Sequence, residues 1–457
     1  MLTGTAIIRE LKGIVGSAHV STALEDLVCY SYDGTTASGM PETVVHPASS
    51  AEVAAITKLA DAAGVNVIAR GAGTGLSGGS VPQAGGIVLH LNRMNALKLL
   101  DRHEQIAVVE PGLTNWELRK AADAAGLFYP PDPSSGKACT LGGNVAENAG
   151  GPSSIKYGAT GDYVLGLEAV TGSGEIIRTG GATRRNVAGY DLTRLLVGSE
   201  GTLAIATEIT LKLLVRPEGR GTALLAFERT ADAGAAVAAL CALAMLPAAI
   251  DIMDATAIDC VQRYLPGRLP KAAAVLLVDV DGDCAGIEEQ LRRVAAAAQE
   301  SNGKLVRATS TVDEMEELWE SRRIVSAALA RMAPARIGED VCVPRTRIHE
   351  MLDRLRQIGE TRGVTIAVFG HAGDGVLHPN ILTDPRDPQL MAKTQSAIAD
   401  IFEAALALGG TLSGEHGIGV AKSVFMNRAA SDEALALMKA IKQVFDPRGT
   451  LNPGKIF

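Results

Sequence analysis

The segment "RGAGTGLSGGS" (70–80) limits what this chain can fold into more than any other part of it. Glycines at 71, 73, 75 and 78 alternate with Ala72, Thr74, Leu76 and Ser77. Glycine reaches backbone conformations closed to other residues, so successive N–H groups can curl inward around one anion, and a pyrophosphate is the natural guest. The flanks are regular. Before the loop comes the helix "SSAEVAAITKLADAAG" (49–64), with Ser49 and Glu52 as a capping box, Val53, Ile56, Leu59 and Ala63 on one face, and Gly64 as its stop. The strands "VNVIAR" and "GIVLHL" bracket the loop itself. No Gly-Lys-Ser/Thr follows, which excludes a Walker loop, and no long helix opens after it, which weakens a dinucleotide fingerprint. Taken alone, the loop also fits a tight turn.

A second glycine-rich stretch narrows the choice. "PPDPSSGKACTLGGNVAENAGG" (130–151) lacks a regular pattern, and a loop of that length inside a compact domain is usually functional. Gly142 and Gly143 permit close backbone approach, while Asn144 and Asn148 carry amides suited to the edge of a heteroaromatic ring. Two such loops in one domain point to a large phosphate-bearing cofactor between them. Thr114 and Glu117 announce a helix before the second loop; "DYVLGLEAVTGSGEIIRTG" follows as a hairpin and "GTLAIATEITLKLL" as a strand. From about residue 219 the texture changes. Strands such as "TALLAFE" and "AAVLLVDV" alternate with alanine-rich helices at 231–246 and 284–300, predicting an α+β domain of βαβ units. Late helices are expected in "QLMAKTQSAIADIFEAALALGG" and "SDEALALMKAIKQVFDP".

A chain of 457 residues exceeds one ordinary core, and a net charge of −8 argues against nucleic acid as a partner. Small anions need only one or two local cations. Cys29, Cys139, Cys241, Cys260, Cys284 and Cys342 are scattered without a C-x-x-C, so no zinc knuckle or iron–sulfur cluster is encoded, and free thiols in a reducing, cytoplasmic setting are expected. The first residues, "MLTGTAIIRELKGIVG", carry Arg9, Glu10 and Lys12 and no signal-peptide cleavage pattern. The apolar run at 233–250 is mostly alanine and contains Pro247, which favours a buried helix over a membrane span.

In "AVFGHAGDGVLHPNI" (367–381), two of the chain's eight histidines flank a Gly-Asp-Gly turn between apolar runs. That pattern predicts a β-hairpin that brings His371 and His378 together. A shared metal ion and two separately satisfied core histidines both fit the pair.

Taken in order, "PETVVHPASSAEVAAI", "ARGAGTGLSGG", "LGGNVAENAGG", "GSEGTLAIATEITLKL", "FGHAGDGVLHPNI", "SGEHGIG" and "FDPRGTLNPGKIF" resemble the FAD-linked D-2-hydroxyacid dehydrogenases. These belong to the vanillyl-alcohol oxidase and p-cresol methylhydroxylase superfamily, and the branch includes D-lactate dehydrogenases, D-2-hydroxyglutarate dehydrogenases and the flavoprotein subunit of glycolate oxidase. The resemblance implies an α+β fold. A two-part FAD-binding domain would span 1–218, and a substrate (cap) domain with an antiparallel sheet 219–405. A helical C-terminal segment, 406–457, would close a metal site and return to the FAD domain.

It further implies noncovalent FAD, because the first loop lacks the histidine that some superfamily members use for attachment. Arg70, Gly71, Ala72, Gly73, Thr74, Gly75, Leu76, Ser77 and Gly78 would hold the pyrophosphate. Pro131, Thr140, Gly142, Gly143, Asn144, Asn148, Gly150, Gly201, Ile205 and Asn452 would line the rest of the cofactor. His371, His378 and Glu415 match the family's ligands for a divalent metal, Zn²⁺, Mn²⁺ or Fe²⁺, and His416 its general base, with an orienter of the metal site as the alternative role. Arg322 and Ser326, one turn apart in "LWESRRIVSAAL", would meet the substrate carboxylate, with Arg323 as the rival arginine; Asn380 would also touch substrate.

Two departures stand out. Gly338 occupies the position where D-2-hydroxyglutarate dehydrogenases carry a lysine for a distal carboxylate, with Glu339 beside it. Val376 occurs where many relatives have Asn. The expected activity is oxidation of a small D-2-hydroxy monocarboxylic acid, D-lactate or glycolate. Electrons would leave to an iron–sulfur subunit, an electron-transfer flavoprotein or a quinone, peripheral membrane association would come through a partner, and a homodimer is compatible with this picture. A D-2-hydroxyglutarate dehydrogenase and a non-catalytic electron-transfer subunit are the alternatives.

Overall fold

The computed structural model describes residues 4–457 and divides into two compact units. The first comprises the chain up to Ala149, Ala159–Arg216 and Glu415–Phe457; the second comprises Gly150–Gly158 and Pro217–Gly414. The short segment at 150–158 groups with the second unit, whereas the sequence assigned it to the first. The late boundary lies after Gly414 because Thr411 N–H still donates to Cys342 C=O (2.8 Å) and Gly414 N–H to Asp340 (2.6 Å). Among the described residues, no helix is long and apolar enough to cross a membrane.

In the first unit, the helix Ser50–Ala63 begins where Ser49 Oγ accepts from Glu52 N–H and ends at Gly64, whose φ is 70°. Glu52 reaches back to Ala48 N–H (2.7 Å) and not to Ser49. Its buried face is Val53, Ile56, Thr57 and Ala60, so Leu59 and Ala63 are only half-buried. Against that face pack Ile7, Leu11 and Val15 of the helix Gly4–Val15, together with Val67, Ile87 and Leu89. Thr43–Val45, Ile87–His90 and Val67–Arg70 pair in parallel in a four-stranded sheet. Ile106–Val109, Ala204–Lys212 and Val164–Thr171 form the antiparallel centre of a five-stranded one. The stretch at 130–151 is not wholly irregular. Thr140 caps a short helix, Leu141–Glu147, and Asn148 ends it in the left-handed conformation, φ 53°.

The second unit is built on one large sheet in the order Lys304–Thr309, Gly219–Phe227, Ala274–Gly282, Ala249–Asp254, Thr365–His371, Val376–Thr383 and Ala335–Gly338, with Val341–Cys342 also pairing Val376–Thr383. Each of these pairings is antiparallel, so the expected βαβ units occur in split form: Gly219–Phe227 and Ala249–Asp254, joined by the helix Thr230–Cys241, run parallel on either side of Ala274–Gly282. The strands nevertheless read as continuous apolar runs because both faces are covered, a pattern usually associated with parallel sheets. One face packs on the helices Ala255–Tyr264, Val312–Arg323 and Val325–Leu329; on the other, Gly219 and Gly221 let Ile287 and Leu291 of Ile287–Glu300 come close. The apolar run at 233–250 resolves into the helix Thr230–Cys241, a turn and the strand Ala249–Asp254.

Candidate active site

Register decides which side chains of the large sheet share a face. Asp251 lies opposite His371, Phe369 opposite His378, Asn380 opposite Gly338, and Leu382 opposite Arg336. Partners directly across a sheet point the same way, and so do residues two apart on one strand. Asp251, His371, His378, Asn380 and Arg336 therefore line one face.

The turn at Ala372–Gly375 reverses the chain as the sequence predicts, with Asp374 N–H donating to His371 C=O (3.0 Å). The two imidazoles stand edge to face, 5.3 Å between centroids, and both are buried. Ligand atoms of His371, His378 and Glu415 all lie within 4.8 Å of one another. Glu415 follows Gly414, which is fixed because Asp340, fully buried, accepts from Gly414 N–H (2.6 Å) and Ser413 Oγ (3.1 Å). Two nitrogens and a carboxylate so gathered suit a divalent transition ion with positions left open. Val376 packs its methyls against Gly414, so this departure from the family pattern braces the backbone just before Glu415.

Behind His371 stands a residue the sequence reading missed. Asp251, with no exposed surface, takes His371 Nδ1–H on Oδ1 (2.8 Å), which leaves Nε2 with the lone pair. Its other oxygen lies 2.6 Å from Arg322 Nε. Burial alone would raise the Asp251 pKa, but His371 and Arg322 outweigh it and hold the group below the ordinary carboxylate value. A carboxylate behind a ligating histidine fixes its tautomer and raises its basicity.

The Arg322 guanidinium is buried and lies 4.6 Å from the Phe369 ring centroid. Its partner is Asp251, not the helix carboxylates Glu317 or Glu320, which Arg268 approaches instead. Arg323 is exposed and paired with Glu316. The helix expected to carry Arg322 and Ser326 in one register is interrupted at Ile324, leaving Arg322 on Val312–Arg323 and Ser326 on Val325–Leu329.

The glycine loops of the first unit fit a cofactor cradle. Ser77 Oγ, Asn144 Nδ2 and Asn452 Oδ1 are buried polar atoms without a protein partner. Leaving such atoms unmet costs about 1–3 kcal/mol each, a cost removed by a polar ligand. The loop's own geometry is set from the other side: Ser77 C=O accepts from Val420 and Ala421 N–H (3.0 and 3.1 Å). Asn452 Nδ2 donates to Gly79 C=O (2.8 Å) and Glu200 C=O (2.7 Å). Arg70 braces the loop, donating to Tyr32 C=O (2.7 Å) with its guanidinium over Tyr30. Gly201, at φ 67°, and buried Ile205 follow Glu200 along the chain, and Pro131 C=O accepts from Asn115 Nδ2 (3.1 Å).

Glu200 lies within the motif "GSEGTLAIATEITLKL", but its role depends on the fold. It accepts from Ile418 N–H (2.8 Å) and Gly419 N–H (2.7 Å), anchoring the segment that carries half-buried His416. Burial raises its pKa, opposed by those two N–H groups and by Lys422 and Lys455. At Gly419, φ is 50° and a Cβ would strike Ser77 C=O, so this approach requires glycine.

The glycine-loop cradle and the set His371, His378 and Glu415 fit an FAD-linked oxidoreductase, and the chain matches two family descriptions in agreement. Residues 41–180 match the FAD binding domain, and residues 216–456 match the C-terminal domain of FAD linked oxidases. The chain belongs to the FAD-linked oxidase family, in the branch that holds glycolate oxidase subunits and D-lactate dehydrogenases. It is 42% identical over 430 residues to glycolate oxidase subunit GlcD of Bacillus subtilis, covering 94% of this chain and 92% of that one. With D-lactate dehydrogenase of Archaeoglobus fulgidus it shares 36% over 418 residues, 90% of each chain. The fold is that of p-cresol methylhydroxylase, with a TM-score of 0.81 at 16% identity, over 99% of this chain and 96% of that one.

Proposed function

We propose that this protein oxidises a small D-2-hydroxy monocarboxylic acid, of the D-lactate or glycolate class, to the 2-oxo acid. The observation that carries this reading is the gathering of His371, His378 and Glu415 within 4.8 Å, with Asp251 behind His371, in an FAD-linked oxidase. When bound, FAD supplies an acceptor for the C2 hydride and a divalent ion supplies a Lewis acid for the substrate oxygens. His416 takes the hydroxyl proton on an imidazole nitrogen. Asp251 keeps the Nε2 lone pair of His371 available for the ion, and Arg322 holds Asp251. Asn380 presents a side-chain amide on the same sheet face. The electrons would leave the site to a separate carrier, an iron–sulfur subunit, an electron-transfer flavoprotein or a quinone; the name glycolate oxidase subunit among the relatives supports a partner.

Titrating the oxidised, metal-loaded protein with D-lactate and glycolate tests the reading. Flavin absorbance should bleach without added acceptor; persistence of the oxidised spectrum with every small D-2-hydroxy acid would leave only an electron-transfer or assembly role. The flavin should leave with the supernatant after acid or heat precipitation, because no histidine lies in 70–80 to attach it. Yellow precipitate would contradict that.

Substrate size follows from the charges on the sheet face. Arg322 is balanced by Asp251, Gly338 carries no cation, and buried Glu339 is adjacent to it. A second carboxylate left unpaired costs about 1–3 kcal/mol, so kcat/KM for D-lactate or glycolate should exceed that for D-2-hydroxyglutarate and D-malate by about tenfold or more. A diacid as the best substrate would reverse this conclusion.

A further inference from the structure

We infer that Arg336 is the residue that recognises the substrate's carboxylate by charge, and that Arg322 serves the metal site through Asp251. The inference deepens the proposed function and rests on it. Arg336 sits on the strand Ala335–Gly338, on the sheet face that carries His378 and Asn380. Its Nη1 donates to Asn380 Oδ1, and the amide of Asn380 donates in turn to His378 C=O (2.9 Å), so the guanidinium is tied to the hairpin that holds both histidines. The missing side chain at Gly338 makes this possible: a Cβ there would lie 2.8 Å from Asn380 Oδ1 and 3.2 Å from Arg336 Nη1.

The two arginines beside the hairpin differ in charge balance. Arg322 is in an ion pair with Asp251, whose net charge is zero. Arg336 is half-buried, its hydrogen-bond partner is a neutral amide, and burial is what draws its pKa down, with no carboxylate acting on it. A partly desolvated guanidinium held by a neutral amide keeps its charge and several donors for an incoming anion, and a carboxylate matches that fork in shape as well as sign. One unbalanced guanidinium on this face also explains why a monoanion suits the site.

The test uses metal-loaded holoenzyme with an artificial dye as acceptor, comparing wild type, Arg336→Gln and Arg336→Lys on D-lactate and on its uncharged amide, D-lactamide. Losing a charge-assisted contact should raise the D-lactate KM of Arg336→Gln about 30-fold with kcat much less affected. The wild-type preference for D-lactate over D-lactamide should collapse by a similar factor, and Arg336→Lys should recover part of it. A merely structural arginine would lower both substrates together, and that result, or a preference within about threefold of wild type, overturns the inference. Oxalate binding, followed by perturbation of the flavin spectrum, separates the two layers. If wild type binds oxalate but is not reduced by any 2-hydroxy acid, the functional reading fails, and equal oxalate affinity in Arg336→Gln overturns the role of Arg336 as well. Wild type that neither bleaches nor binds oxalate overturns both.

Discussion

His371→Ala is expected to abolish turnover of every 2-hydroxy acid while FAD stays bound in stoichiometric amount. The histidine belongs to the second unit, whereas the loop at 70–80, the helix Leu141–Glu147 and Asn452 belong to the first, so the substitution leaves the cradle's hydrogen bonds untouched. What it removes is one of the two imidazoles in the set proposed to hold the metal, together with the partner of Asp251. Lewis-acid stabilisation of a developing oxyanion is worth several kcal/mol, and its loss corresponds to about a thousandfold or more in kcat/KM. Stripping wild-type protein with a chelator should give the same phenotype, and adding back Zn²⁺ or Mn²⁺ should restore wild type but not the variant. Undiminished activity after exhaustive chelation would remove the metal from the mechanism altogether.

Asp251→Ala should be the most destabilising single change at the site. Its carboxylate is wholly enclosed between His371 and Arg322. Deleting it leaves a buried guanidinium without a counter-charge, which typically costs about 3–5 kcal/mol. Metal affinity should also fall, by about 10- to 100-fold, because His371 loses the acceptor that fixes its tautomer. The two effects separate in the double variant Asp251→Ala/Arg322→Met, which removes both charges. Denaturation midpoints should recover most of the lost stability, whereas metal titration should stay weak. Recovery of metal binding together with stability would mean that Asp251 acts only as a counter-ion.

Features carried by local chemistry could be read from the sequence directly. Ser49, Thr114 and the glycine after each helix announce caps, and the turn between His371 and His378 announces a hairpin, because each depends on residues only a few positions apart. Asp251 was invisible for the opposite reason. In "AAIDIMD" it is one more strand residue, and only pairing with a histidine 120 positions later gives it a role. No local pattern marks Arg336, since its face is set by its register against the hairpin. Glu200 is likewise defined by backbone amides more than 200 positions away. The antiparallel direction of the large sheet came from the resemblance alone, because apolar strands report that two faces are covered and say nothing of strand direction.

The tie between the first glycine loop and residues 418–456 fixes an order of events in the making of this protein. Val67 N–H donates to Thr450 C=O, Asn452 N–H to Val67 C=O, and Lys455 Nζ to Val81 C=O, so the 70–80 loop is framed by a segment synthesised some 370 residues later. On the ribosome the loop emerges hundreds of residues before the segment that frames it. Loading with FAD therefore waits for that segment, and a chain that stops before Thr450 carries both loops in its sequence but no finished seat for the flavin.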